Sequence, residues 1–177
     1  MPPKPARTPA AEILTSVTMD LFRVDHLILN AGDRLAAHLG LTGTRWQILG
    51  AVVRSTTPQT VAGLSRDLGS NRQNVQRVIH DLVRLEMLTL EPNPKHRRAP
   101  LVVLTGKGRQ TYDAAMKLQA PWANAVTQGM GLDDLLTFQR VIAELRTRLA
   151  PRPGLTENIE VRGKGKTGPA TATTNPG

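Results

Sequence analysis

Two apolar seams with helical spacing lie near opposite ends of the chain. In the first, apolar residues recur at alternating spacings of three and four, at Leu14, Val17, Leu21, Val24, Ile28, Ala31 and Leu35. This pattern predicts a long amphipathic helix, with Thr8 as its N-cap and Pro9 at its first position. The second seam predicts another helix, with inward positions at Leu135, Phe138, Ile142, Leu145 and Leu149.

The length of the first predicted helix favours a homodimer. A helix of about 30 residues spans roughly 45 Å, which is longer than a domain of this size covers alone. Packing of both seams inside one chain is the alternative. The residues predicted to make the dimer contact are Leu14, Val17, Leu21, Val24, Phe138, Ile142, Leu145 and Leu149.

The middle of the chain is divided into shorter elements. Residues 44–54 carry apolar residues on one helical face, and Thr60 is placed to cap a short helix that ends at Gly69. The stretch SNRQNVQRVIHDLVRLEML follows, and its Ser70 and Gln73 are spaced as a capping box. Val75, Val78, Ile79, Leu82 and Leu85 form its apolar stripe. The sequence therefore predicts two helices joined by a glycine turn.

A β-hairpin is predicted after these helices. The β-prone runs at 88–90 and 101–104 flank the loop NPKHRRAP, residues 93–100. Thr105 is placed to cap a further helix, which Pro121 should kink or interrupt. Helix, glycine turn, capped helix and two-stranded ribbon are the order of a winged helix-turn-helix. The predicted fold class is mainly α with a small β-hairpin, flanked by long dimerisation helices.

The second helix of this motif has the chemistry of a DNA-reading element. Its N-terminal face carries donors that pair with base edges, because Arg is bidentate to guanine and Asn or Gln to adenine. No carboxylate occurs on that stretch before Asp81. The predicted DNA-binding residues are Ser70, Asn71, Arg72, Gln73, Asn74, Gln76 and Arg77 in the recognition helix, and Lys95, His96, Arg97 and Arg98 in the wing.

Charge supports a polyanionic partner. The 177 residues carry a formal net charge of +9. Residues 66–109 contribute +5, residues 1–9 and 151–177 contribute +2 each, and the remainder is balanced. This clustering is typical of a nucleic-acid site rather than of a uniformly basic surface. The predicted partner is therefore double-stranded DNA.

Several other classes of function lose support. The chain has no cysteine, which excludes thiol redox sensing and Cys-ligated zinc. No apolar stretch is long enough to span a membrane, and no hydrophobic region follows the first charges, so a cytoplasmic location is expected. We expect no enzymatic activity, no cofactor and no metal site. Trp46 and Trp122 are interpreted as core residues rather than pocket residues, and His26 and His38 as structural or surface residues of the first helix.

The stretch LSRDLGSNRQNVQRVIHDLVRLEMLTLEPNPKHRRAPLVVLTGKGR, residues 64–109, resembles the MarR family of bacterial transcriptional regulators. The resemblance extends over roughly residues 10–150. It implies a homodimer on a palindromic operator, with residues 70–77 in the major groove and Arg97 or Arg98 in the minor groove. Many members are released from DNA by small aromatic or phenolic acids. The commonest family wing has an Asp-x-Arg motif, and His96 stands here at the position of that Asp.

The resulting hypothesis is a homodimeric repressor released from its operator by a small aromatic or organic-anion effector, and associated with the bacterial nucleoid when bound to DNA. A nonspecific architectural DNA-binding protein and a winged-helix module for protein contacts are the alternatives. The predicted organisation is a disordered tail at 1–8, dimerisation helices at 9–40 and 105–150, a DNA-binding lobe at 41–104, and a disordered basic tail at 151–177.

Overall fold

Helices make up most of the structure. The computed structural model describes residues 6–150, and the two predicted tails lie almost entirely outside this range. In chain order the elements are α1 (Pro9–Ala36), α2 (Gly43–Arg54), β1 (Gln59–Thr60), α3 (Val61–Asp67), α4 (Arg72–Arg84), β2 (Leu88–Glu91), β3 (Leu101–Leu104), α5 (Gly106–Thr127) and α6 (Leu132–Leu149). The chain divides after Thr127 into two compact units, and α6 belongs to the second.

The predicted long first helix is confirmed. Thr8 caps α1 by accepting a hydrogen bond from the backbone N–H of Ala11 at 3.2 Å, and Pro9 occupies the first helical position. The helix runs for 28 residues. His38 was expected on this helix but lies beyond its end, in a 3₁₀ turn over Ala37–Leu39 that Gly40 terminates in a left-handed conformation.

A Schellman turn links α3 to α4. The N–H of Gly69 donates to the carbonyl of Arg66, and the N–H of Ser70 donates to the carbonyl of Ser65. Gly69 has φ +59°, which suits glycine. Because Ser70 closes the turn after α3, the next residue begins α4. The predicted capping box of Ser70 and Gln73 is therefore wrong, and Asn71 caps α4 by accepting from the N–H of Gln73 at 2.8 Å.

The end of α4 repeats this turn without a glycine. Glu86 has φ +59°, its N–H donates to the carbonyl of Val83, and the N–H of Met87 donates to the carbonyl of Leu82. The backbone of a residue that carries a Cβ is strained at this positive φ. Two contacts link this turn to the start of α5: Lys107 pairs with the Glu86 carboxylate at 3.0 Å, and the Thr105 hydroxyl donates to the Glu86 carbonyl at 2.7 Å.

The predicted hairpin is confirmed, and it belongs to a larger sheet. β2 pairs antiparallel with β3, with Leu88 opposite Leu104 and Glu91 opposite Leu101. β1 pairs with the other edge of β3, so the strand order is β1-β3-β2. A two-residue strand after Pro58 is too short to show an alternating pattern, which is why the sequence did not predict β1.

α5 begins as predicted and continues further than predicted. The Thr105 hydroxyl accepts from the N–H of Gly108 at 2.9 Å, which satisfies one free donor of the first turn. The helix does not end at Pro121 but continues as far as Thr127. The expected interruption is therefore wrong.

The core lies between the helices of the lobe and its sheet. α2 packs against α1, α4 and α5, and α3 packs against α4. The apolar stripe of α4 is almost fully buried, as the sequence predicted. The central members of this core are Ile48, Leu49, Leu64, Val75, Ile79, Leu82, Leu88, Val102 and Ala115.

Candidate nucleic-acid interface and effector cleft

One face of α4 is exposed and rich in hydrogen-bond donors. Residues 70–73, Gln76 and Arg77 are exposed, whereas Val75 and Val78 on the opposite face are buried. This division arises because the apolar residues follow the helical period and the polar ones fill the remaining positions. The sequence missed two further members of the face: His80 and Arg84 are also exposed and extend it toward the C-terminus.

Asn74 has a different environment from its predicted partners. It is half-buried, and its side-chain oxygen accepts a hydrogen bond from Nη2 of Arg77 at 2.9 Å. An Arg side chain has several rotatable bonds, and fixing it before binding reduces the entropy lost on binding. Asn74 is thus placed to orient Arg77.

α4 is attached to α2 by a shared carboxylate. The side chain of Asp81 is only 14% exposed and forms ion pairs with Arg84 and, at 3.5 Å, with Nη2 of Arg45. Arg45 also donates to the carbonyl of Gly40 at 3.3 Å. This network fixes the C-terminal half of α4 on its scaffold and leaves the N-terminal half free to contact a partner.

The wing tip exposes all four predicted cationic residues. Lys95, His96, Arg97 and Arg98 lie on a loop between β2 and β3, and all four are exposed. Among the ion pairs formed by residues 6–150, none involves these side chains. Their charge is therefore available to an anionic partner.

A cleft between α1, α2 and α5 has the size and chemistry of a small-molecule site. Its volume is about 370 Å³, within the range of ligand pockets. Both tryptophans of the chain line it. Trp46 also packs against the core, as the sequence predicted, whereas Trp122 is half-buried and does not belong to that core. The other side chains that define its chemistry are Tyr112, Met116, Arg54, Gln47, Gln119 and Asp25.

Glycines bring the walls of this cleft together. A Cβ on Gly32 would lie 3.0 Å from the Cα of Gly43, and a Cβ on Gly43 would overlap the carbonyl oxygen of Leu29. Asp33 of α1 accepts from the N–H of Gly43 at 2.5 Å, which ties α1 to the first turn of α2. The cleft therefore lies directly beside a closely packed junction between the first helix and the lobe.

The apolar seams remain largely exposed in the single chain. Within residues 6–150, all fifteen exposed large hydrophobic residues lie at positions 13–28 or 126–149. Phe22 is 68% exposed, Leu132 71% and Leu149 77%. Of the predicted contact residues, Leu21, Ile142 and Leu145 are half-buried, and Leu14, Val17, Val24, Phe138 and Leu149 are exposed.

Comparison with known proteins places this architecture in a family. Residues 39–99 match the model of the MarR family, which covers α2 through the wing. An uncharacterized protein of Mycobacterium tuberculosis is 41% identical over 101 residues, covering 57% of this chain and 69% of that protein. The chain belongs to the MarR family. It is a DNA-binding transcriptional regulator with a winged-helix fold, and regulators of this family are non-enzymatic transcription factors.

Two further proteins are similar to this chain. The transcriptional activatory protein BadR of Rhodopseudomonas palustris is 29% identical over 104 residues, covering 58% of this chain and 59% of BadR. The organohalide-sensing regulator RdhR, solved with 2,4-dichlorophenol bound, superposes with a TM-score of 0.69 at 14% identity, covering 85% of this chain and 89% of RdhR. The second likeness shows the fold alone.

Within residues 6–150, no helix has the length and hydropathy needed to cross a bilayer. The same residues contain no cluster of three or more His, Asp or Glu side chains arranged to hold a metal ion.

Proposed function

We propose that this MarR-family regulator is a homodimeric repressor that binds a palindromic operator and is released by a small-molecule effector. The observation that carries the proposal is α4, which joins a buried apolar stripe to an exposed face of Arg, Asn and Gln. Binding to phosphates alone requires only cations, whereas amide side chains discriminate between bases.

In this proposal the N-terminal half of α4 enters the major groove. Arg72, Gln73, Gln76 and Arg77 contact base edges, while Ser70 and Asn71 contact the backbone beside the helix N-terminus. Asn74 acts indirectly, through its hydrogen bond to Arg77. The wing residues Lys95–Arg98 contact phosphates and the flanking minor groove, where negative potential attracts arginine.

The exposed seams of α1 and α6 support a homodimer. Soluble monomers rarely expose large apolar patches, and each of these helices exposes several large hydrophobic residues that a second copy could cover. We assign the predicted contact residues of both helices to the interface between two copies. A two-fold dimer presents two α4 helices, which requires two half-sites about one helical turn apart.

The cleft between α1, α2 and α5 supports an effector of small aromatic or organic-anion type. Trp46, Trp122 and Tyr112 provide flat apolar walls, and Arg54 provides a cation at the rim. A ligand there shifts the equilibrium only if it binds better to a conformation that does not bind DNA. Because the cleft adjoins the α1–α2 junction, such a ligand can bias the position of the lobe relative to its dimerisation helix.

Intrinsic fluorescence tests the effector directly. Both tryptophans line the cleft, so an aromatic ligand should change the emission of the whole protein upon binding. The probes are a series of small phenols and benzoates, and each compound that alters emission is tested for release of DNA. If no compound changes either the fluorescence or the DNA affinity, the protein is a constitutive DNA-binding protein without such an effector.

Selection of bound fragments from random and genomic DNA tests the operator. We expect a symmetric motif bound at least about a thousandfold more tightly than random DNA. Equal affinity for all sequences would favour the architectural alternative, and no salt-dependent binding would favour a protein-contact module. A reporter fused to the selected promoter separates repression from activation, for which the name of BadR provides the precedent.

A further inference from the structure

The wing loop is closed by one side chain that the sequence analysis did not identify, Asn93. Its side-chain oxygen accepts from the N–H of Lys95 at 3.0 Å, and its Nδ2 donates across the loop to the carbonyl of Ala99 at 3.0 Å. Asn93 is half-buried, while the four residues from Lys95 to Arg98 are exposed. We propose that Asn93 is a positioning residue that holds the wing arginines in their DNA-binding arrangement.

The backbone of the loop forms two consecutive turns that share His96. The N–H of His96 donates to the carbonyl of Asn93 at 3.2 Å, and the N–H of Ala99 donates to the carbonyl of His96 at 3.0 Å. Arg97 and Arg98 occupy the two corner positions of the second turn. The cross-loop bond of Asn93 ends on Ala99, the last residue of that turn, and therefore fixes the arginine-bearing turn to the end of β2.

The chemistry requires an asparagine. The carboxamide acts as acceptor toward Lys95 and as donor toward Ala99. An ionised aspartate is an acceptor only and would face the Ala99 carbonyl unfavourably. A serine can accept from the N–H of Lys95 but is too short to reach across the loop.

The hydrogen bond from Asn93 to Ala99 matters because repulsion between the charges of the loop disfavours its closed conformation. Three permanent cations at 95, 97 and 98 repel one another, and no carboxylate among residues 6–150 pairs with them. Without a cross-loop bond the turn would sample open conformations, and DNA binding would have to order it. This inference rests on the proposed function, since it assigns the arginines to DNA.

The experiment is a double-mutant cycle on the full chain. The variants are Asn93→Ala, Asn93→Ser, the pair Arg97→Ala with Arg98→Ala, and the combination of each Asn93 change with that pair. Asn124→Ala, the same change at an exposed site on α5, is the matched control. Operator affinity is measured at fixed salt, and amide hydrogen exchange reports on the N–H groups of His96 and Ala99.

We expect Asn93→Ala and Asn93→Ser each to weaken operator binding about five- to tenfold, the scale of one lost hydrogen bond. Exchange at Ala99 should accelerate in both, and Asn124→Ala should change neither quantity. In the background lacking both arginines, the effect of the Asn93 changes should fall below about twofold, because coupled residues are not additive. A merely structural role would leave the effect undiminished in that background.

The outcomes separate this inference from the proposed function. If the wild type binds the operator and the Asn93 and arginine effects add independently, the positioning role is refuted and the regulator assignment stands. If Asn93→Ser matches the wild type, the cross-loop bond has no function. If the wild type binds no DNA, the proposed function fails, and the positioning role fails with it even where exchange confirms the closed loop.

Discussion

The packing of Gly108 against the root of the wing gives a measurable difference in stability between two neighbouring glycines. A Cβ at Gly108 would overlap the carbonyl oxygen of Met87, and it would lie 3.0 Å from Cδ1 of Leu104. A Cβ at Gly106, two residues earlier in the same helical turn, would meet nothing within 4 Å. Gly108→Ala and Gly106→Ala are therefore a matched pair with opposite expected signs.

The magnitude follows from the contacts of Met87. Its carbonyl accepts from the N–H of Thr105 at 3.2 Å. The Thr105 hydroxyl shares its one proton between this carbonyl, at 3.0 Å, and that of Glu86, at 2.7 Å, so the Met87 carbonyl cannot move without weakening these contacts. Overpacking costs typically about 1–3 kcal/mol, and one weakened hydrogen bond adds about 1 kcal/mol. Alanine in a helix recovers about 1 kcal/mol relative to glycine. We expect Gly108→Ala to lower the free energy of unfolding by about 2 kcal/mol.

Gly106→Ala should be neutral or stabilising by up to about 1 kcal/mol, because alanine restricts the unfolded chain and meets no atom in the fold. The assay is urea denaturation followed by circular dichroism at one protein concentration, since the proposed dimerisation would couple stability to concentration. Equal midpoints for the two variants would refute the packing argument.

Three further predictions concern function. Gln73→Ala should weaken operator binding by about 1–3 kcal/mol and relax base preference at symmetric positions, whereas Arg98→Ala should lower affinity and keep most of the base preference. Binding profiles of both variants over a randomised operator library at fixed salt check this, and the reverse pattern would show that the roles of α4 and the wing are exchanged. In sedimentation equilibrium the wild type should have twice the 19.2 kDa mass of the chain, and Val24→Asp or Ile142→Asp should lower the measured mass toward that of the monomer or unfold the chain. A wild type that is a folded monomer at micromolar concentration would contradict the proposed dimer. Trp122→Ala should weaken the binding of an effector identified by fluorescence at least tenfold, and it should leave operator affinity unchanged when no effector is present. An unaltered affinity for the effector would show that the ligand binds elsewhere.

Much of the fold was predictable because its signals are local. The heptad spacing from Leu14 to Leu35 predicted α1. Three predicted caps are confirmed: α1 is capped by Thr8, α3 by Thr60 and α5 by Thr105. A cap depends on a side chain and an N–H a few residues away, so the chain sequence alone describes it. The capping box predicted for Ser70 and Gln73 was wrong because the N–H of Ser70 donates within the preceding turn.

The candidate site was only partly predictable. The exposed face of α4 and the charged wing follow from helical period and composition. The roles of Asn74 and Asn93 do not, because an asparagine in sequence does not reveal which donor or acceptor it meets. A residue that orients another is invisible until the distance between them is known.

The sequence by itself determined the order of the helices and the hairpin, the apolar stripe of α4, the clustering of positive charge and the absence of cysteine. These properties depend on residue type and short-range spacing. Tertiary structure alone decided that β1 joins the sheet, that Asp81 ties α4 to α2, and that Trp46 and Trp122 share one cleft. Each of these depends on residues far apart in the chain meeting in space, and packing of the whole core fixes such contacts whereas local spacing does not.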